Sequence, residues 1–315
     1  MNIILAPMQG MTMAYYRTFH NEIFGGVDDY YAPFISTTNK ESSSPSLFKD
    51  LLPESNTSVN VIPQLLGKNG SDFRYYASKI VEMGYKEINW NIGCPFHTVT
   101  KKTKGSGILP HPDLIKAFLD EVCKDTSYDL TIKMRLGLHH LDEGIKVVDL
   151  INDYPLKGVI IHGRTGDQKY TGTVDLDAFE VLYKASKHEV TYNGDIFTFD
   201  DYAKVRDRFP DIQNYMLGRG ALRDPFLPSI LKGNDIPAEQ KMDKIREFHE
   251  AVFNHYKKKL SGDRHVCDKM KEFWMYMSFN IDPNGKHIKK IRKSRSLGAY
   301  LDACNQMLNS TDTWT

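Results

Sequence analysis

Short runs with strand character recur eight times in the first part of the chain, at 2–7, 29–34, 59–66, 87–92, 130–135, 158–162, 189–193 and 214–218. Each leads through a polar turn into a segment of helical length. Several runs are apolar almost throughout, as in Val159-Ile160-Ile161. That composition suits strands of a parallel sheet, buried on both faces under helices. Between the runs, Phe73, Tyr76, Ala77, Ile80 and Met83 keep helical spacing over 72–83. The 112–123 segment opens on Pro112 and repeats the pattern with Leu114, Ile115, Phe118, Leu119 and Val122. Eight such units in about 230 residues predict an α/β chain of the (β/α)8 TIM-barrel class. A doubly wound open sheet is the competing arrangement.

The alternation stops after Phe226. Gly-Asn-Asp-Ile-Pro at 233–237 reads as a linker, and beyond it strand character is gone. Ile245, Phe248, Val252 and Tyr256 keep helical steps within 242–259, and 269–279 and 286–309 also read as helical. The expected organisation is therefore a barrel over 1–232 and a small C-terminal all-helical domain over 238–315.

Composition narrows the function. The 41 Lys and Arg against 40 Asp and Glu leave a net charge of +1, so a polyanion partner needs a local patch. Two patches stand out. Lys101, Lys102 and Lys104 follow the fourth strand. Lys286, Lys289, Lys290, Arg292, Lys293 and Arg295 form a second run with no acid among them. On a helix, Ile288 and Ile291 would share one face and Lys286, Lys290 and Lys293 another. No apolar run approaches the ~20 residues of a membrane span, and the first residues lack a basic leader. The four cysteines, at 94, 123, 267 and 304, include no CxxC pair. No metal site is expected from them, and they suit a reducing, cytoplasmic setting.

In a barrel of this kind chemistry gathers at the C-terminal ends of the strands. Those positions hold Pro7-Met8-Gln9, Gln64, Asn91-Ile92-Gly93-Cys94-Pro95, Lys133-Met134-Arg135, His162-Gly163-Arg164-Thr165, Asn193-Gly194-Asp195 and Gly218-Arg219-Gly220. The glycines after the last two strands lie where such barrels bind phosphate. A lone cysteine is ordinarily a small buried hydrophobe, the reading that fits Cys123, Cys267 and Cys304. Cys94 differs, because Gly93 and Pro95 fix it in a loop at a strand end. A thiol of ordinary pKa, about 8.5, is mostly protonated at neutral pH and can serve as a general acid. Lys133 is either an internal ion pair or a cation held against an anionic ligand.

The ordered set from Ala6-Pro7-Met8 to Gly218-Arg219-Gly220-Ala221, with Asn-x-Gly-Cys-Pro and His-Gly-Arg-Thr inside it, resembles the tRNA-dihydrouridine synthases. The resemblance runs through about the first 230 residues and is closest to the bacterial C-type branch, whose members modify uridine 16. It implies a monomeric flavoenzyme that reduces the C5=C6 bond of uridine in tRNA, with FMN as cofactor and NADPH as reductant. Cys94 would protonate C5. Pro7, Met8, Gln9, Gln64, Lys133, His162, Asn193, Gly194, Asp195, Gly218 and Arg219 would surround FMN. Asn91 and Arg135 would meet the uridine, and Lys101, Lys102, Lys104, Lys286, Lys290 and Lys293 the RNA. The chain departs from the family at Gln9, at Met11-Thr12-Met13-Ala14 and in the basic 101–104 segment. These bear on substrate subclass. A small-molecule FMN oxidoreductase of the dihydroorotate dehydrogenase kind would share the barrel without needing the helical extension. A non-enzymatic RNA-binding protein would have no use for the polar strand ends.

Overall fold

The computed structural model describes residues 1–39, 44–124 and 127–310. The last five residues of the expected helical domain, 311–315, lie outside them. Ten strands form one parallel sheet: β1 (Asn2–Leu5), β2 (Asp29–Tyr31), β3 (Ile35–Ser36), β4 (Val61–Ile62), β5 (Gln64–Leu66), β6 (Glu87–Ile92), β7 (Asp129–Arg135), β8 (Gly158–His162), β9 (Val190–Asn193) and β10 (Asn214–Leu217). Their order is β3-β5-β6-β7-β8-β9-β10-β1-β2-β4. The ends of that order meet. β2 and β3 are two halves of one passage, and β4 and β5 two halves of the next. β2 pairs with β4 while β3 pairs with β5, so eight passages close into a barrel. The second and third predicted strands are thus broken, at 32–34 and at Pro63, where proline has no N–H to give the ladder.

Side chains alternate across the wall with the two-residue period of a strand. Ile88, Trp90 and Ile92 face outward into a core shared with the helices, where Trp90 stacks on Phe118 at 3.8 Å. Ile4, Ala6, Tyr31, Ile62, Ile160 and Met216 form a separate apolar cluster inside the barrel. The rest of the interior is polar. Gln64 Nε2 donates to Asn89 Oδ1 (2.7 Å), Asn89 Nδ2 to Thr131 Oγ1 (3.0 Å), and Thr131 Oγ1 to Glu87 Oε1 (3.3 Å). Lys157 closes this chain by pairing with Glu87 at 2.7 Å.

The helices around the sheet are α1 (Ala14–Ile23), α2 (Gly70–Glu82), α3 (His97–Thr100), α4 (Pro112–Val122), α5 (Leu141–Ile151), α6 (Leu176–Ala185), α7 (Phe199–Arg208), α8 (Arg219–Arg223) and α9 (Leu227–Leu231). Asn69, Asp175 and Thr198 cap α2, α6 and α7 through side-chain oxygens that accept otherwise unpaired backbone N–H groups. After 232–237 come α10 (Ala238–Lys259), α11 (Asp263–Ile281), α12 (Ile288–Lys293) and α13 (Leu297–Asn309). The predicted helix over 286–309 is therefore two helices. Asp282 accepts the N–H groups of Lys286, His287 and Ile288 and starts α12, while the Ser296 hydroxyl accepts from Ala299 N and starts α13. Phe248 of α10 packs edge-on against Tyr16 and Phe24, which seats the C-terminal helices on the barrel.

Candidate active site

A cavity of about 510 Å³ opens at the C-terminal ends of the strands. Its walls include Pro7, Met8, Gln9, Asn91, Cys94, Lys133, Arg135, His162, Asn193, Gly194, Asp195, Gly218 and Arg219. Lys269, Glu272, Met275 and Tyr276 of α11 complete it. The strand residues among these follow from alternation. Asn91, Lys133, Arg135, His162 and Asn193 belong to the same inward series as Asn89, Thr131, Ile160 and Thr191, and they lie at or near the end of each strand.

Cys94 is fixed through its main chain. Asn91 Oδ1 accepts from the N–H groups of Gly93 (3.1 Å) and Cys94 (2.9 Å), an Asx-type turn. The Cys94 carbonyl accepts from Ser106 N (2.9 Å) and Ser106 Oγ (3.1 Å). Gly105, at φ +58°, crosses so closely that a Cβ there would stand 2.5 Å from the Cys94 carbonyl oxygen. Burial pushes the Cys94 thiol above its ordinary pKa, outweighing the Phe96 backbone contact and the Arg135 and Lys133 charges that pull it down. The thiol is therefore protonated at neutral pH.

Gln64 does not line the cavity. It lies one layer beneath, where Asn91 Nδ2 donates to Gln64 Oε1 (2.8 Å). Because Gln64 uses its amide nitrogen on Asn89, the orientation of every amide from Asn89 to Asn91 is set, and with it the oxygen that holds the cysteine turn. The resemblance implies Gln64 beside the cofactor; its side-chain amide also supports Asn91.

Two cations face the cavity without carboxylate partners among the described residues. Lys133 Nζ donates to Asn193 Oδ1 (2.7 Å), and burial with the nearby Arg135 charge pushes its pKa down to about 7. Arg135 spends Nε on the Gly93 carbonyl (2.9 Å) and Nη1 on the Thr165 and Lys169 carbonyls (both 2.8 Å). Lys169 holds φ +50°, an uncommon value for a residue with a side chain, and its carbonyl is one of those Arg135 grips. Beside them His162 is kept neutral: burial first, then the surrounding arginines and Lys133, lower its pKa well below normal. Its Nε2 is buried without a hydrogen-bond partner. The two carboxylates in the wall are already engaged, Glu272 by Lys269 (2.9 Å) and Asp195 by both Arg164 and Arg219. Arg219 lies 2.6 Å from Asp195 Oδ1 and 4.9 Å over the Tyr170 ring. The balance of unengaged charge suits an anionic ligand.

Glycine is required in the corner after β9 and β10. A Cβ at Gly194 would meet the Tyr192 hydroxyl at 2.2 Å, and one at Gly220 the Ile196 carbonyl oxygen at 1.9 Å. These contacts fix the backbone of the corner, while Gly218, where a Cβ would meet nothing nearer than Ala6 at 3.6 Å, leaves room at the cavity wall for a phosphate.

The predicted RNA-contacting lysines divide. Lys101 and Lys102 are exposed. Lys104 is half-buried and donates to the Thr37 carbonyl (2.7 Å), so it ties its loop to the end of the second passage of the sheet instead of reaching outward. In the second patch Ile288 and Ile291 are buried and the cations exposed, as their spacing predicts. Lys286 precedes α12 rather than sharing its face, and Lys290 Nζ donates to Gln306 Oε1 (2.9 Å). Sequence reading missed Tyr170, Phe197 and the α11 wall. No strand-end rule reaches Tyr170 or Phe197, which lie in loops. The α11 residues meet the cavity only through packing between distant segments.

The profile of the dihydrouridine synthase family (Dus) matches residues 4–306. The chain is 27% identical over 305 residues to the tRNA-dihydrouridine(16) synthase of Neisseria meningitidis serogroup A, covering 92% of this chain and 90% of that protein. It is 26% identical over 310 residues to the tRNA-dihydrouridine(16) synthase of Haemophilus influenzae, covering 93% and 95%. Among solved structures, an old yellow enzyme homologue from Zymomonas mobilis superposes with a TM-score of 0.54 at 10% identity, over 76% of this chain and 90% of that one. That likeness concerns the barrel fold.

Proposed function

This chain belongs to the dihydrouridine synthase family, and on that premise we propose that it reduces the C5=C6 bond of uridine in tRNA to 5,6-dihydrouridine, with FMN as cofactor, NADPH as reductant and Cys94 as the acid. The observation that carries the reading is the cavity itself: a protonated thiol shares its wall with two cations that lack carboxylate partners among the described residues. The same wall offers an orphaned imidazole nitrogen and a glycine-lined corner. Those features fit an anionic flavin nucleotide. Gly194, Gly218 and Arg219 would hold its phosphate, Lys133, His162 and Asn193 its ring, and Pro7, Met8 and Gln9 the opposite side. Asp195 acts on that site through Arg219, which it orients. The chemistry FMN supplies when bound is hydride carriage from NADPH to C6 of the uracil ring.

The chain's own residues do the rest. Cys94 carries its proton at Sγ and delivers it to C5, and Asn91 sets the turn that aims it. Arg135 and Lys133 hold positive charge against an electron-rich site, where low dielectric strengthens the attraction. A uridine must leave its stack to enter such a pocket, and the α11 wall is where the helical part of the chain meets it. We place the barrel at 1–232 and the tRNA-gripping domain at 238–315, with uridine 16 the target and the cytoplasm the setting. Among the described residues no helix is long and apolar enough to cross a membrane.

The reading is tested by purifying the protein and mapping dihydrouridine in tRNA from a strain lacking it. Bound FMN and NADPH-dependent restoration of dihydrouridine at one position are the expected results. A colourless protein that takes up no FMN sinks the reading.

The exposed run around α12 gives a separate expectation. Changing Lys286, Lys290 and Lys293 together to alanine should weaken tRNA binding and flatten the slope of log K against log[salt] by up to about 2–3 units. Each phosphate contact contributes roughly 0.7–0.9. An unchanged slope would make the run a solvated surface and leave Lys101 and Lys102 as the phosphate contacts.

A further inference from the structure

From the mouth of the cavity a ladder of alternating rings and guanidinium groups runs outward to the surface. Arg219 lies 4.9 Å over Tyr170 and 5.6 Å over Phe197. Arg223 lies 4.5 Å over the other neighbour, Phe197, and 4.2 Å over Phe279. Tyr170, Phe197 and Arg219 line the cavity, and Phe279 is 51% exposed on α11. Met275, four residues earlier and therefore on the same helix face, is also exposed and lines the cavity. A continuous apolar and cationic strip thus leads from the reacting pocket to open solvent.

The outer arginine is left with unmet charge. Asp195 is shared by Arg164 and Arg219, and Arg223 makes no ion pair among the described residues. Burial and the Arg219 charge both press against its cationic form, and its Nε is buried without a hydrogen-bond partner. An arginine that served only to clamp α11 to the barrel would gain from a carboxylate at its edge. Here two rings cover its faces, which weakly hydrated guanidinium tolerates, while its buried Nε lacks an acceptor. A guanidinium fork beside an exposed ring is what one nucleotide of a single strand needs: a phosphate acceptor for the fork and a base to lie on the ring.

We propose that Arg223 and Phe279 form a subsite for the nucleotide flanking the target uridine, with its phosphodiester on Arg223 and its base stacked on Phe279. This rests on the reading of the cavity as a uridine-reducing site. A uridine drawn out of folded RNA brings its neighbours to the cavity mouth, and the strip is the surface they meet there. The 2′- or pyrophosphate of NADPH is the other source of such a group, and the test separates the two.

The experiment compares wild type, Phe279→Ala, Phe279→Trp and Arg223→Gln for flavin content, melting temperature, tRNA affinity across salt concentrations and KM for NADPH. Phe279→Ala should weaken tRNA binding about 5- to 100-fold, the usual range for one stacked base, and leave the salt slope unchanged. Phe279→Trp should restore affinity. Arg223→Gln should weaken binding and lower the salt slope by about 0.7–0.9, the signature of one phosphate contact. Wild-type tRNA affinity in flavin-loaded Phe279→Ala and Arg223→Gln, with only the melting temperature reduced, would overturn the proposal and make the ladder an anchor for α11. A raised KM for NADPH in Arg223→Gln with tRNA binding intact would overturn it in favour of the reductant. Failure of the wild-type protein to bind tRNA at all would instead remove the uridine-reducing reading, and this subsite with it.

Discussion

Cys94→Ala is expected to slow uridine reduction by about 10²- to 10⁴-fold, the usual contribution of a positioned general acid, while the protein keeps its flavin. The expectation follows from how the residue is held. The bonds that fix its turn, from Asn91 Oδ1 and from Ser106, are to its backbone N–H and carbonyl. Alanine therefore leaves the turn in place and removes the thiol, its proton and its contact with the Phe96 backbone. Single-turnover mixing of NADPH-reduced enzyme with tRNA would measure the step directly. The thiol is raised by burial, so activity should fall as pH rises through its ionisation, and that alkaline limb should vanish in the variant. Undiminished turnover in Cys94→Ala would show that C5 takes its proton from another group. Loss of flavin would show instead that the thiol is structural.

The parts of this site that are visible in the chain are those that local rules determine. A barrel strand exposes alternate residues inward, so the polar members at Asn91, Lys133, Arg135, His162 and Asn193 announce themselves by falling at two-residue steps near the strand ends. Gly194 and Gly220 are legible for the same reason, since a tight corner has one answer. What is hidden depends on partners distant in sequence. Gln64 looks like a ligand for whatever the barrel binds, yet the nitrogen of its side-chain amide bonds Asn89 and the oxygen Asn91. Nothing in its own strand reveals that. Lys104 looks like a free cation until its loop folds back on Thr37. Asp195 reads as a cofactor contact, but two arginines 31 and 24 residues away converge on it. The α11 wall is hidden most deeply, because it exists only when the C-terminal helices seat on the barrel. The folding pattern of the barrel is thus local and legible, whereas the division of labour among its polar residues is decided by which contacts compete for each donor and acceptor.

The second large effect is expected at Lys133 and shows first in stability. In the folded chain burial, aided by the Arg135 charge, pushes its pKa from 10.5 down to about 7. Between those two values the unfolded chain binds a proton that the folded chain does not. Stability contributed by this group therefore rises with pH across that window, by up to about 1.4 kcal/mol per unit. Below pH 7 both states carry the proton and the penalty is present in full. Lys133→Met keeps the volume and removes the titration, so the flavin-free variant should outlast the wild type in denaturant at pH 7 and lose most of that advantage by pH 10. An anion bound against the ammonium reverses the balance, because opposite charge favours the protonated form. Flavin should then stabilise the wild type more than the variant, and the variant's affinity for FMN should fall by about 10- to 100-fold, the range of a charge-assisted hydrogen bond. Denaturant midpoints from pH 6 to 10, with and without FMN, would measure both effects. Matching pH profiles for the two flavin-free proteins would mean that Lys133 remains protonated in the fold, and that a counter-charge already meets it there.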